Sequence, residues 1–492
     1  MKVALIIPSW HAEEIFSSRT SPSQINYWQP VGTLSVAASL REHGHEVSFQ
    51  NGAFLSHHEL IKKTEDFVPA VVGLYATAFS WDKAVATAAV LRRRFPDTFF
   101  VVGGPYPISM PEACLADAPA IDAVVTGEGE ETMVELLDLL RKRAPLDQCR
   151  GLCFRHGGAI VRTPDRPLIR DLDSLPFPAR DLIGEPDHYL PPPAAFRRSP
   201  VAVVLTSRGC DRKCIYCFQL DKSRKSGVRY RSVASVLEEV EDCLAMGYRE
   251  IKFIDDTLAA DYQRAMELAA GIRARNLDFT WFASACVNQV DYPLLRAFKK
   301  AGCWAILMGV ESGVQKNLNT LRKGITLAQA EKAVAAAKRA GLVVFNTFVF
   351  GIPGETVAQA EKTIDFACRL NPDFASFHAL TPFPGTLLHD MAKDHGTLAD
   401  DLRDYTYQGA AFVPHTMTGK DIHSLRQRAY RRFYSRPGYL LRRAVGIRTL
   451  HELKTAGQSL KTLCWLWIKP EIFSKRQRLF QARTMPKLVE KV

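Results

Sequence analysis

Two long stretches of the chain share one rhythm of apolar and polar positions. From residue 1 to about 145, short apolar runs at Val3–Ile7, Glu46–Gln50, Ala70–Tyr75, Phe99–Val102 and Ala123–Thr126 alternate with segments of helical period such as Thr33–His43 and Trp81–Phe95. Strand–helix alternation predicts a parallel, doubly wound (Rossmann-like) α/β sheet. Ligands of such sheets bind outside the carboxyl ends of the strands. The pattern puts Gly73, Gly103-Gly104-Pro105 and Gly127-Glu128-Gly129-Glu130 at those ends. Glycine there lets a backbone approach a bulky ligand closely, although a single glycine after a strand is usually just a turn. Residues 146–199 break the rhythm. Arg166–Leu182 is punctuated by Pro and Asp, Pro191-Pro192-Pro193 follows, and the composition is that of a linker.

The rhythm resumes from 200 to 390. Val201–Leu205, Glu250–Ile254, Phe279–Ala283, Ala305–Met308, Val343–Phe350 and Phe374–Ala379 read as strands, with helices such as Val233–Met246 and Leu327–Ala340 between them. Six strand–helix units predict a partial (β/α)6, TIM-like barrel with its chemistry at the strand C-termini. Polar residues gather there: Asp255 and Asp256 after the second strand, Gly309, Glu311 and Ser312 after the fourth, and Gly351, Pro353, Gly354 and Glu355 after the fifth. Residues 391–492 form a separate, helical C-terminal region.

The chemistry announces itself directly after the first barrel strand, in Ser207–Phe218, S-R-G-C-D-R-K-C-I-Y-C-F. Cys210, Cys214 and Cys217 are spaced C-x3-C-x2-C. Thiolates are the soft ligands that iron–sulfur clusters select. Three of them on a four-iron cluster leave one iron open to a small chelating molecule, and Tyr216 sets an aromatic face beside it. A zinc knuckle would want a fourth ligand, and no His or Cys lies at useful spacing nearby. Cys149 and Cys153 repeat the C-x3-C spacing without a third cysteine or an aromatic, and read as structural.

This signature resembles that of the radical S-adenosylmethionine (radical SAM) superfamily, C-x3-C-x-aromatic-C. The resemblance implies a [4Fe–4S] cluster on Cys210, Cys214 and Cys217. It implies SAM on the open iron, with Tyr216 beside the adenine and Glu311 and Ser312 as ribose and carboxylate contacts. The Gly351–Glu355 turn becomes the adenine-side contact. The common G-G-E motif for the SAM ammonium is absent, and the resemblance leaves Asp256, in the F-x-D-D position with Asp255, or a backbone carbonyl to take its place. The N-terminal stretch is similar to the cobalamin-binding domain that precedes many such barrels, through G-G-P at Gly103 and D-x-V-V-x-G-E-G-E at Asp122–Glu130. That implies cobalamin held near Gly73, Gly103, Gly104, Gly127 and Glu128. The cobalt-ligating motif D-x-H-x-x-G is missing, and His11, His57 and His58 lack its context. Cobalamin would then be held without a protein ligand to the metal, or the domain would be structural only.

The implied activity is C–H functionalisation of a hydrophobic small molecule by a 5′-deoxyadenosyl radical. Cobalamin-dependent C-methylation is the first expectation, and hydroxylation or oxidative cyclisation of a chlorophyll-type tetrapyrrole the alternative. A flavodoxin- or ferredoxin-type reductant is expected as partner. An RNA methylthiotransferase would want extra cluster cysteines in the N-terminal domain, which holds only Cys114 and, near its end, Cys149; nucleic acid is accordingly not the expected partner.

Composition adds three points. Eleven cysteines in 492 residues form no secreted framework, and 47% apolar content is ordinary for a globular protein. Met1–Ser9 reads as a first strand rather than a signal peptide, and no apolar run reaches the roughly 18 residues of a membrane span; the expected compartment is cytoplasmic and reducing. The net charge of +12 comes from the tail: residues 426–492 hold 17 Lys/Arg against 3 Asp/Glu. Tyr430–Tyr434 and Tyr439–Arg443 interleave aromatics with arginines, and Leu460–Ile468 carries Trp465 and Trp467. That pattern fits a peripheral membrane or anionic-ligand element, the other reading being a helical cap packed on the barrel.

Overall fold

The computed structural model describes residues 1–11, 14, 27–221, 223, 225–406, 409–447, 453, 456, 457 and 461. They fold as two units. The first comprises Met1–His11, Gln29–His188 and Phe218–Arg231; the second comprises Tyr189–Cys217 and the described residues from Ser232 onward, with the few from the 12–28 stretch.

In the first unit, strands β1 (Lys2–Ile7), β2 (Glu46–Asn51), β3 (Val71–Tyr75), β4 (Phe99–Gly103) and β5 (Ala123–Val125) pair in parallel in the order β2-β1-β3-β4-β5. This is a doubly wound order with its switch point between β1 and β3. Helices α1 (Val31–Glu42), α2 (His57–Phe67), α3 (Trp81–Arg94), α4 (Pro105–Ser109), α5 (Pro111–Asp117) and α6 (Gly129–Lys142) make the crossovers. One core joins Val3, Leu5, Val71, Val101 and Ala123 of the sheet to Leu40 of α1 and Met133, Leu136 and Leu137 of α6. Cys149 lies in the same core and Cys153 is fully buried, the fate expected of structural thiols.

The segment read as a linker from 146 differs. β6 (Leu152–His156) and β7 (Ala159–Arg162) add an antiparallel hairpin to the sheet edge. The turn is Gly157-Gly158, both at positive φ, as a two-residue hairpin loop demands. The chain stays with this unit through His188.

The second unit is a six-stranded parallel sheet in sequence order: β8 (Val201–Val204), β9 (Glu250–Phe253), β10 (Thr280–Ala285), β11 (Cys303–Glu311), β12 (Val343–Phe350) and β13 (Phe374–Ala379). Helices α7 (Val233–Ala245), α8 (Tyr262–Ala274), α9 (Tyr292–Lys300), α10 (Gln315–Thr320), α11 (Leu327–Arg339) and α12 (Val357–Leu370) connect them. Local sequence starts the longer helices: Ser232, Asp261, Asp291, Thr326 and Thr356 each accept a backbone N–H from the first turn.

The faces of this sheet differ. Positions turned to the helices, such as Ile251, Phe253, Trp281, Ile306 and Val344, are buried in one large core. The alternate positions Ser284, Leu307, Gly309, Phe345, Thr347, Phe374 and Ser376 are only half-buried. A parallel sheet covered on both faces would bury both sets, so the concave face is open at these positions, while nearer the N-terminal ends of the strands Lys252, Phe282, Trp304 and Ala305 on the same face are buried. At its N-terminal end, buried Glu250 accepts the backbone N–H groups of Arg197 and Arg198 (2.8 Å each), the Thr280 hydroxyl (2.7 Å) and Trp304 Nε1 (2.9 Å). These bonds fix the segment before β8 under that end of the barrel.

Beyond the barrel lie α13 (Leu387–His395), α14 (Gly419–Tyr434) and α15 (Pro437–Val445). The aromatic and basic side chains of α14 are consumed by the outer edge of β13. Tyr434 Oη accepts from Ala375 N (3.0 Å) and donates to Ala375 O (2.8 Å), Tyr430 Oη accepts from Phe377 N (3.3 Å), and fully buried Arg426 donates Nε to Phe377 O (3.0 Å). Arg428 and Arg432 pair with Glu361 and Asp365. An unpaired strand edge is a liability; here α14 covers it as a packed cap, whereas α15 buries Tyr439 and leaves Leu441 and Val445 exposed. Leu460–Ile468, with Trp465 and Trp467, lies outside the described residues. Among the described residues no helix is long and apolar enough to cross a membrane.

Candidate active site

The cysteine loop leaves β8 through Thr206 and Ser207, and Asp255 fastens that exit. Its Oδ1 accepts from Thr206 N (3.0 Å), Thr206 Oγ1 (2.8 Å) and Ser207 Oγ (2.5 Å), while Arg264 donates to Thr206 Oγ1 and Thr206 O. Burial pushes the Asp255 carboxyl up against these bonds. Asp255 thus positions the loop. Asp256 beside it is exposed, and its pKa is raised first by desolvation and then by Asp255. Cys210 is half-buried, Cys214 buried and Cys217 exposed, and none is in a disulfide. The Cys217 thiol hydrogen-bonds Cys214 and draws its pKa down to about 6, against burial and with help from the Lys323 charge; Cys217 moves the opposite way. Burial lifts Cys210 to about 11.

Glu311 ends β11 at a register shift and at φ +69°, a backbone region that non-glycine residues rarely hold. Such strain persists where the surroundings enforce it and tends to mark functional sites. Its Oε1 accepts from Lys323 Nζ at 2.8 Å, and its Oε2 from Thr347 Oγ1 at 3.3 Å. Lys323 also donates to Tyr216 Oη at 3.1 Å. Burial alone would lower the Lys323 pKa; the Glu311 carboxylate, backed by Tyr216 and Cys214, raises it well above the ordinary value. A side chain at Gly309 would displace this pair, since a Cβ would stand 2.2 Å from Glu311 Oε1 and 2.9 Å from Lys323 Nζ. Lys323 was not singled out in the sequence, where it sits in an unremarkable L-R-K-G. Only its 12-residue separation from Glu311 across α10, closed by the fold, makes it part of the site.

The other sequence candidates fall nearby with different duties. Ser312 is completely buried, its hydroxyl engaged with Thr363 Oγ1, Val314 N and Asn317 Nδ2. Glu355 staples the following turn: it accepts from Gly351 N (2.8 Å), Ile352 N (3.2 Å) and Asn317 Nδ2 (2.8 Å), and burial raises its pKa to about 7. Gly351 takes φ +86° in that turn.

In the first unit, Gly103 ends β4 and Gly127 lies two residues past β5, each with open space where a Cβ would project. Gly104 must be glycine, since at φ +107° a Cβ would lie 2.4 Å from Ala76 O. Gly73 differs from the expectation. It sits in the middle of β3, between Leu5 and Val101, where a Cβ would meet Leu5 Cδ2 at 2.7 Å; its smallness serves sheet packing rather than the ligand end. Glu128 is buried and bound by Arg229 through both oxygens (2.9 and 3.0 Å) and by Ile169 N (2.8 Å), an arrangement that ties Phe218–Arg231 to this unit.

Residues 204–367 match the family model described as the radical SAM superfamily, and residues 25–137 that of the B12 binding domain. An uncharacterized methyltransferase of Pyrococcus horikoshii is 34% identical over 449 residues, 90% of this chain and 94% of its own. The chain belongs to the radical SAM superfamily. Within it, the anaerobic magnesium-protoporphyrin IX monomethyl ester cyclase of Cereibacter sphaeroides is 28% identical over 88% of this chain and 70% of its own. Among solved structures, the cobalamin-dependent radical enzyme OxsB superposes with a TM-score of 0.74 at 17% identity, covering 98% of this chain and 74% of that one. The methyltransferase TsrM of Kitasatospora setae gives 0.65 at 20% identity over 80% and 76%. At such identities the likeness is one of fold.

A radical SAM enzyme with a B12-binding domain takes a [4Fe–4S] cluster, SAM and cobalamin, and the residues present fit all three. Three thiols free of disulfides lie on one short loop. Among the described residues no three His, Cys, Asp or Glu side chains converge tightly enough to hold one ion; the three thiolates of a cubane bind three different irons and need no such convergence. The Glu311–Lys323 pair offers a carboxylate and an ammonium to a zwitterionic ligand. Beside open Gly127, Thr126 Oγ1 is buried without a hydrogen-bond partner, and such a group wants a polar ligand.

Proposed function

We propose that this radical SAM enzyme functionalises an unactivated carbon of a large hydrophobic molecule, with oxidation or ring closure of a tetrapyrrole-type substrate as the leading chemistry. The observation that carries the hydrophobic substrate is the half-open concave face of the barrel sheet. Its apolar side chains Leu307, Phe345 and Phe374 lie on the same face as Glu311 and Thr347. For the reaction, three anaerobic magnesium-protoporphyrin monomethyl ester cyclases align over 77–89% of the chain, which favours the oxidative reading. The second reading, C-methylation, is supported by the Pyrococcus protein and by the cytidylyl-2-hydroxyethylphosphonate methyltransferase of Streptomyces wedmorensis, 27% identical over 83% of the chain.

When bound, the cofactors supply a 5′-deoxyadenosyl radical able to take a hydrogen atom from an unactivated C–H bond. The chain's own residues do the rest. Cys210, Cys214 and Cys217 hold three irons, and Asp255 keeps their loop in place. Glu311 presents its carboxylate to the ribose diol of SAM, and Lys323 its ammonium to the SAM carboxylate, both pre-aligned by Thr347 and Tyr216. Asp256 is the carboxylate available to the SAM ammonium. The Gly351–Glu355 turn borders the adenine, while Ser312 holds the turn after Glu311. Cys217 is exposed, so a one-electron donor of the flavodoxin or ferredoxin type would reach the loop that would hold the cluster. In the first unit, Gly103, Gly104, Gly127 and Thr126 make the corrin cradle.

The test is anaerobic turnover of magnesium-protoporphyrin monomethyl ester with SAM carrying a deuterated methyl group, in isotopically labelled water. Label from water in the product supports the oxidative reading. Deuterium in the product overturns it in favour of methylation. Full SAM cleavage by any of Cys210→Ala, Cys214→Ala or Cys217→Ala would overturn the cluster assignment.

A further inference from the structure

One ionisable side chain on the concave face of the barrel, Lys252, stands apart from the cysteine loop and the Glu311–Lys323 pair. Lys252 lies on β9 between Ile251 and Phe253, both in the helix-facing core, so strand alternation turns it the other way, into the lumen. It is only 7% exposed. It stands opposite Phe282 in the β9–β10 register, with its ammonium 3.1 Å from the Phe282 ring centroid. Among the described residues it makes no hydrogen bond or ion pair. Cys303 and then Glu250, two residues earlier on the same face, favour the charged lysine without bonding it; the Glu250 oxygens already serve Arg197, Arg198, Thr280 and Trp304. Phe282, Trp304 and Phe345 pack together beside it, and Phe374 stacks on Phe345. A buried ammonium without a counter-ion is costly, and an aromatic face offsets only part of that cost.

We propose that Lys252 anchors a carboxylate of the substrate, making it a specificity-determining residue for an apolar acid. This rests on the reading of the concave face as the substrate site. Through Phe282 and Ala305, Lys252 is level with Val343, four residues before Thr347, which touches Glu311. At roughly 3.3 Å per residue the two ends are separated by about 13 Å along the strands. The ammonium sits over the ring of Phe282, its register partner, so acid group and reacting carbon lie on the order of 10 Å apart. Small metabolites do not reach; an extended or polycyclic acid does.

The experiment is equilibrium dialysis of the reconstituted full chain with pyrenebutyrate and with its methyl ester. A buried charge-assisted contact corresponds to a preference for the acid of about tenfold or more. Lys252→Met should lose that preference while binding the ester as before, and Lys252→Arg should retain part of it. Met has the same reach without the charge, and an unchanged or raised melting temperature shows that the variant folds. Equal binding of acid and ester by the wild type, no binding of either probe, or an intact preference in Lys252→Met each overturns the proposal. SAM cleavage is scored separately without probe, so failure of the radical SAM reading is distinguishable from failure of this one.

Discussion

Lys252→Met also tests the energetics of the barrel floor. Methionine preserves the length and apolar volume of the stem and removes only the ammonium. Burial holds the Lys252 amine down from 10.5 to about 7. Because the folded pKa is the lower one, the unfolded chain binds more protons between pH 7 and 10.5, and wild-type stability rises with pH across that window. Keeping the buried amine charged therefore costs on the order of 5 kcal/mol below pH 7, falling to on the order of 1 kcal/mol at pH 9.5. Loss of the contact with the Phe282 ring returns about 1–2 kcal/mol where the amine is charged. The variant should therefore be more stable than wild type by about 3 kcal/mol at pH 6.5, with the gap closing towards pH 9.5. Urea unfolding of the cofactor-free chain, followed by tryptophan fluorescence with Trp281 and Trp304 in the barrel, measures both. A variant less stable than wild type at pH 6.5, or a gap that does not change with pH, would refute the reasoning. A native chain that retains a destabilising lysine fits the pattern in which stability is given up at a functional site.

Three further outcomes follow from single contacts. Gly309→Ala drives a methyl group into the Glu311–Lys323 pair and should weaken SAM binding by at least tenfold, on the order of 1.4 kcal/mol, with cluster iron per chain unchanged; calorimetric titration with SAM reads it. Gly104→Ala collides with Ala76 O at a positive φ and should abolish cobalamin retention, seen as loss of corrinoid absorbance, while the cluster persists. Tyr434→Phe strips the bonds to Ala375 N and O on the β13 edge. It should cost about 1–3 kcal/mol of stability without altering SAM cleavage, which would separate the cap from the chemistry.

Misreadings of the sequence have specific causes. Leu152–Arg162 passed for linker because Pro- and Asp-rich segments follow it, yet its Gly157-Gly158 pair between two β-prone runs is a hairpin signal. Gly73 falls inside the run Ala70–Tyr75, two residues short of the strand end where a ligand-end glycine belongs. The register shows a mid-strand packing position opposite Leu5. The arginines among the aromatics of 426–445 read equally as a surface for an anion or as a cap. What decides is the open edge of β13, which no window of the tail encodes.

By itself, the sequence determined what depends on short windows. The C-x3-C-x2-C loop, the strand–helix rhythm of both units and the Ser, Thr and Asp caps that start the helices are local matters of spacing and backbone preference. Tertiary structure alone decided which side chains meet. Lys323 reaches Glu311 and Tyr216 only because α10 folds back beside β11, and Asp255 serves the cysteine loop only because β9 lies next to β8. Lys252 faces an aromatic wall only because the register sets Phe282 opposite it. A residue's partner is set by contacts distant in sequence, and whether a charge is buried follows from which face of the sheet it occupies and where along the strand.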